Sequence, residues 1–219
     1  MDMRRRTLLG GAAATGLGLT GVGLSAAPAQ ASPIGSGWTE INPGYSVHQP
    51  PGATRHTYDS STGEHHFWVY DSDPSTFPGQ DSGPRSELRF KNDYTSGQAQ
   101  FECDMTVKSS AHRVCVFQVF GAATQATAFM ALAMNNNSLA YYGKTDQVIY
   151  RPIYDTTLRL NVVHDTTARA VHVFVNREFQ VSYADHGAGT HYFKCGLYGR
   201  DGMSARSDCY VRNVHLYRK

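Results

Sequence analysis

Beyond its first thirty-one residues the sequence offers no apolar run of about 20 residues, the length a membrane-spanning helix requires, so a membrane anchor is not expected. It has no internal repeat, no low-complexity segment and no stretch with a helical period, which sets aside solenoids and helical bundles. Only four cysteines occur, Cys103, Cys115, Cys195 and Cys209, and none forms a C-x-x-C pair. A zinc site is therefore not expected, nor is any other metal. An excess of one charge is missing as well. Set aside Asp2, Arg4, Arg5 and Arg6 of the leader, and twenty basic and eighteen acidic residues become seventeen of each. Without a basic footprint, nucleic acid is not an expected partner. Cofactor fingerprints are absent, and no two carboxylates share a groove face in the way a glycoside hydrolase requires.

What is present begins with that leader. Three arginines, a Gly/Ala/Leu stretch and Ala29-Gln30-Ala31 form the positive region, apolar region and A-x-A cleavage site of an export signal over residues 1–31. Arg5-Arg6-Thr7-Leu8-Leu9 suits a twin-arginine signal as well as an ordinary secretory one. The expectation is a secreted, extracellular protein that acts as a monomer. Residues 32–219 have the length of one domain. In an oxidising compartment the four cysteines are expected to form two disulfides, with three pairings open.

Residues 32–49 are rich in Gly, Pro and Ser and are expected to be irregular. From residue 50 to 219, short alternating runs recur between Gly, Pro, Asn and Asp clusters, among them His65 to Tyr70, Arg85 to Lys91, Gln98 to Val107 and Val114 to Phe120. Phe129 to Met134, Thr157 to His164, Ala170 to Val175, His191 to Tyr198 and Cys209 to Tyr217 continue the series. Such runs predict an all-β sandwich or barrel, and Asn176-Arg177-Glu178 predicts a hairpin turn and hence antiparallel pairing.

Three segments carry candidate chemistry. In Arg85-Ser86-Glu87-Leu88-Arg89 strand alternation places Arg85, Glu87 and Arg89 on one face, where one carboxylate cannot neutralise two guanidiniums. Val114 to Gly121 is apolar apart from Gln118, an amide that must be satisfied or line a cleft. In His191 to Arg200 one face holds Tyr192, Lys194, Gly196, Tyr198 and Arg200, with the glycine leaving room for a ligand.

In order and spacing, RSELR, the strand around Gln118 and YFKCGLY resemble the three signature strands of the alginate lyase family of jelly-roll polysaccharide lyases. The nearest likeness is to a subgroup with plant citrate-binding-like proteins, and glucuronan lyases are related. The resemblance spans roughly His56 to Lys219 and implies a jelly-roll β-sandwich of two antiparallel sheets whose three signature strands line a concave groove. It implies that Arg85 or Arg89, Gln118 and Tyr198 belong to the active site, with an acidic polysaccharide as substrate and no cofactor. Two departures from the family pattern stand out: Phe120 stands where the family has a catalytic histidine, and Gly199-Arg200 stands where Asn-Gln or Ala-Gln commonly follows the motif tyrosine.

β-Elimination needs the uronate carboxylate neutralised, a base for the C5 proton and an acid for the C4 oxygen. The arginines and Gln118 suit the first task, with Lys194, Arg200, Glu87 and Trp68 as further substrate-binding residues. A free phenol titrates near pH 10 and neighbouring cations favour its ionised form, so Tyr198 is expected to act as base and then acid on syn substrates, mannuronate or glucuronate. His65 and His66 are the expected sources of an imported histidine. The competing expectation is a non-catalytic protein that binds an acidic polysaccharide or a polycarboxylate such as citrate. On the parity of a groove-lining strand, Cys115 and Cys195 point away from the groove and are expected to pair, leaving Cys103 with Cys209.

Overall fold

The computed structural model describes residues 33–80 and 82–219; the expected leader lies outside them. Among the described residues no helix forms. The chain runs through β1 (Thr39–Ile41), β2 (Tyr45–His48), β3 (His56–Asp59), β4 (Glu64–Tyr70) and β5 (Arg85–Phe90). It continues through β6 (Gln98–Val107), β7 (Val114–Phe120), β8 (Thr127–Met134), β9 (Ser138–Tyr141) and β10 (Val148–Tyr150). The last five are β11 (Thr157–Asp165), β12 (Ala170–Val175), β13 (Glu178–Ala184), β14 (Tyr192–Gly199) and β15 (Arg206–Arg218). Alternation in the sequence becomes alternation in burial. Along β4, His65, Phe67 and Val69 are buried and their neighbours half-buried, as the period of two requires.

The strands form two antiparallel sheets. The outer sheet has the order β13-β12-β11-β6-β15-β4-β3, with β1 added against β15; the groove sheet has the order β10-β9-β8-β7-β14-β5-β2. The three motif strands β5, β14 and β7 are thus adjacent. Phe67, Phe90, Phe101, Phe117, Phe129 and Phe193 fill the space between the sheets, all but inaccessible to water, and burial of each such ring stabilises the fold by roughly 1.5–3 kcal/mol. Asn176 and Arg177, with φ of 52° and 70°, make the two-residue turn from β12 to β13, the conformation that suits the twist of a tight hairpin.

Two expectations are corrected. Residues 32–49 are not irregular throughout: Thr39–Ile41 pairs with Leu216–Arg218, and Tyr45–His48 pairs with Glu87–Phe90. Gly and Pro around these short runs obscure them, while open sheet edges recruit them. The cysteine pairing also differs, since all four are buried free thiols. In β7, Val116 and Phe117 are consecutive yet both pack into the core between the sheets, and register shifts mark a bulge there. A bulge inserts one residue and reverses the parity beyond it. Cys115 therefore lies on the groove face with Met130, Leu132 and Tyr198, whereas Cys195 points into the core. Cys209 stands opposite Val107, four positions along β6 from Cys103, roughly 13 Å at strand spacing. That is too far for a bridge, and Cys103 meets Cys195 of the facing sheet instead.

Candidate active site

Register brings the motif side chains into rows across the groove sheet. Arg89, Lys194 and Gln118 form one row, Arg85, Tyr198 and Cys115 another, and Tyr192 with Phe120 a third. Between the first two, His48 of β2 stands beside Glu87, which in turn faces Gly196.

Glu87 is the centre of this arrangement. Its carboxylate accepts from Lys194 Nζ at 2.9 Å, from Arg85 Nη1 at 3.1 Å and from Gln118 Nε2 at 2.7 Å, with His48 Nδ1 at 3.7 Å. Reaching Gln118 from β5 means crossing β14, and the crossing is open because Gly196 has no side chain. A Cβ there would stand 2.4 Å from the Ser86 carbonyl oxygen and 3.2 Å from Glu87 Cβ, and the backbone has φ of 136°. The room expected for a ligand above Gly196 is thus taken by Glu87. Burial alone would raise the Glu87 carboxyl, but Lys194, His48 and Arg85 together hold it down to about 2. Glu87 is accordingly an internal counter-ion that fixes three donors. Two cations against one anion leave a surplus positive charge on the groove floor.

Tyr198 lies next to this cluster, with the Arg85 guanidinium 3.5 Å above its ring and Arg200 Nη1 donating to its phenol oxygen at 2.6 Å. Its other neighbours are apolar: Cys115, Met130, Leu132, Met134 and Ala140. The Phe120 ring stacks on Tyr192 at 4.9 Å between centroids and has Lys194 Nζ 5.0 Å from its centre. A pocket of about 210 Å³ opens here, lined by His48, Phe77, Gln80, Arg85, Phe120, Tyr192 and Lys194. On its wall Arg85 Nε and His48 Nδ1 are buried without hydrogen-bond partners. An unsatisfied guanidinium N–H and an unpartnered imidazole nitrogen beside an ammonium, walled by aromatic rings, suit an anionic group.

The other expected site residues fall elsewhere. Arg89 is drawn to the end of the row by Asp93, at 2.6 Å, and by the Tyr192 ring, 3.9 Å from its guanidinium carbon. His65, His66 and Trp68 belong to the outer sheet, not the groove. His65 is buried against His56, Tyr45 and Phe67, where burial and then His56 lower its pKa to about 4. His66 bonds Asp208 at 2.9 Å, stacks on Tyr210 and lies tilted against Trp68. The histidine that does reach the groove is His48, which sequence reasoning missed because it lies in the segment read as irregular. The alternation in Tyr45-Ser46-Val47-His48 was the available signal.

Comparison with known proteins identifies the family and the fold. The profile of the alginate lyase family matches residues 33–218. A citrate-binding protein from Hevea brasiliensis is 35% identical over 163 residues, covering 74% of this chain and 67% of that protein. Among solved structures, an alginate lyase of polysaccharide lyase family 7 superposes with a TM-score of 0.61 at 17% identity, over 83% of this chain and 94% of the other. Another family 7 alginate lyase, solved in complex with a GGMG substrate, superposes with a TM-score of 0.62 at 13% identity, over 78% and 91% of the two chains.

Proposed function

The chain belongs to the alginate lyase family, and from that premise we propose that it is a secreted polysaccharide lyase that cleaves an acidic polyuronate by β-elimination, with mannuronate- or glucuronate-containing chains as substrates. One observation carries the reading: Arg85, Lys194 and Gln118 converge on Glu87 with a surplus positive charge, directly beside a phenol held by Arg200. Because Glu87 stays ionised down to about pH 2, it cannot serve as the proton donor, and its charge stays constant under ordinary conditions. The uronate carboxylate would meet Arg85, Lys194 and His48 at the pocket wall, where fixed cations in a water-poor site stabilise the developing enolate. Tyr198, as phenolate, takes the C5 proton. The electron pair forms the C4–C5 double bond, the C4–O bond breaks, and the phenol returns its proton to the leaving oxygen. A single residue acting twice requires the proton and the leaving group on one side of the ring, which favours mannuronate and glucuronate over guluronate.

The test is incubation with polymannuronate, polyguluronate and glucuronan while following the ultraviolet absorbance of the unsaturated product. Absorbance should rise with the syn substrates and least with polyguluronate.

A second reading, binding of an acidic polysaccharide or a polycarboxylate without turnover, is favoured by Phe120 at the family's histidine position and by the small aromatic-walled pocket. The citrate-binding relative is consistent with it. Binding of any polyuronate or of citrate with no unsaturated product from any of the three polymers would establish that reading.

A further inference from the structure

A second polar cluster lies between the sheets, apart from the groove chemistry. His164 of β11, Asp185 just after β13 and His191 just before β14 are at most 1% exposed, and one donor atom of each lies within 4.8 Å of the others. His164 Nε2 stands 3.2 Å from Asp185 Oδ2, close to the about 3.3 Å that separates two ligands of one tetrahedral zinc ion. The His191 ring is edge-on to His164 with centroids 4.5 Å apart, and its Nδ1 is buried with no hydrogen-bond partner. A buried nitrogen without a partner in an otherwise satisfied cluster is an orphan that a ligand would satisfy.

From these positions we infer that His164, Asp185 and His191 form a structural site for a divalent transition metal of the zinc class. Two imidazoles and one carboxylate are a zinc donor set. The far side of each ligand is held as metal ligands usually are. Tyr94 OH bonds His164 Nδ1 at 2.8 Å. Arg169 Nε and the Gly187 amide donate to Asp185 Oδ1 at 2.8 Å and 3.1 Å. Arg169 Nε also approaches Oδ2, at 3.0 Å, but a carboxylate oxygen has a second lone pair, and this guanidinium is half exposed. The backbone at Gly121 and Phe120 lies against the His191 ring. On binding, a proton on a coordinating nitrogen would leave to solvent.

The site joins the sheets. His164 belongs to the outer sheet, and His191, which forms an isolated bridge with Tyr94, immediately precedes β14 of the groove sheet. The loops above it touch backbone to backbone: a Cβ on Gly121 would stand 2.0 Å from the Thr190 carbonyl oxygen. In a sandwich whose described cysteines are free thiols, such an ion would tie the layers as a disulfide does elsewhere.

The protein, stripped with EDTA, would be titrated with Zn²⁺ and with Co²⁺. One equivalent should bind, the Co²⁺ form should show the intense visible absorption of tetrahedral coordination, and saturating Zn²⁺ should raise the melting temperature by roughly 5–10 °C. His191→Gln and Asp185→Asn should each weaken uptake by about 100-fold, while His66→Gln on the outer sheet should leave it unchanged. A wild-type protein that takes up no stoichiometric metal, or a Co²⁺ form with only weak octahedral absorption, overturns the site even where a variant does not fold. Uptake equal in His191→Gln, Asp185→Asn and wild type overturns it too, as adventitious binding to surface histidines.

Discussion

The protein buries two polar clusters, one around Glu87 and one around Asp185, and they solve the same electrostatic problem differently. Each holds a carboxylate at 1–2% exposure. Around Glu87 the partners are mostly charged, with Lys194 and Arg85 within 3.1 Å, so the carboxylate is locked as an anion and the surroundings keep a net positive charge. Around Asp185 the inward partner is the His164 imidazole, and among the described residues the cation that bonds it, Arg169, approaches from the solvent side. The first cluster opens on a pocket with aromatic walls, and the three side chains of the second are at most 1% exposed. Burial of polar groups alone therefore does not mark reactivity. Surplus charge beside accessible space is what sets the Glu87 cluster apart.

The largest effect that would sharpen this contrast comes from removing one phenol oxygen from each cluster. Tyr198→Phe should lower turnover of polymannuronate or glucuronan by roughly 10²–10⁴-fold, the usual worth of a positioned acid–base group, with binding nearly intact. Tyr94→Phe should leave turnover per folded molecule unchanged and cost about 1 kcal/mol of stability from the lost His164 hydrogen bond. Equal rates for Tyr198→Phe and wild type, measured by product absorbance, would break the comparison and discard the tyrosine scheme.

Next in size is Glu87→Gln, which leaves Lys194 and Arg85 buried without their anion and should destabilise the fold by about 3–5 kcal/mol in denaturant titration. The pH profile gives an independent check. The folded pKa of Glu87, about 2, lies below its unfolded value, so its contribution is fully present above the ordinary carboxylate range near pH 4.3 and is lost as pH falls from there through 2. Wild type should lose about 3 kcal/mol across that window, and Glu87→Gln should lack this component. An acid limb of the same depth in both proteins would show that Glu87 is not the charged centre.

Gly196→Ala should follow with about 1–3 kcal/mol of destabilisation. It puts a methyl group against the Ser86 carbonyl at a backbone angle that side chains rarely adopt. Turnover should fall alongside, since the methyl displaces Glu87 and with it Gln118 and Lys194. Unchanged melting and activity would mean that Glu87 does not depend on the open strand. The smallest effect is expected for His66→Ala, whose ring lies on the outer sheet, bonded to Asp208: turnover within twofold of wild type. A loss comparable to Tyr198→Phe would return the histidine to the mechanism.

Much of this architecture is legible in the residues. Period-two runs such as His65 to Tyr70 announce strands, Asn176-Arg177 announces a tight turn, and the three motifs with their spacing announce the family and the identity of the groove strands. Parity carries correctly along β5 and β14, where Arg85, Glu87, Arg89, Tyr192, Lys194 and Tyr198 share a face. It fails in β7, because Val116 and Phe117 are both apolar and either could face the core. Only competition for space between the sheets decides that both do, and with that the Cys115 thiol turns to the groove.

Local chemistry was thus written in the chain: which segments extend, which residues alternate, which carry charge. What tertiary structure alone decided is who meets whom. His48 reaches the groove while His65 and His66 do not, Glu87 crosses over Gly196 to Gln118, and His164, Asp185 and His191 converge from two sheets. The physical reason is that strand periodicity constrains only the side to which a residue points. Partners across a sheet or between sheets follow from register, bulges and layer packing, which are settled collectively by burial of the whole core.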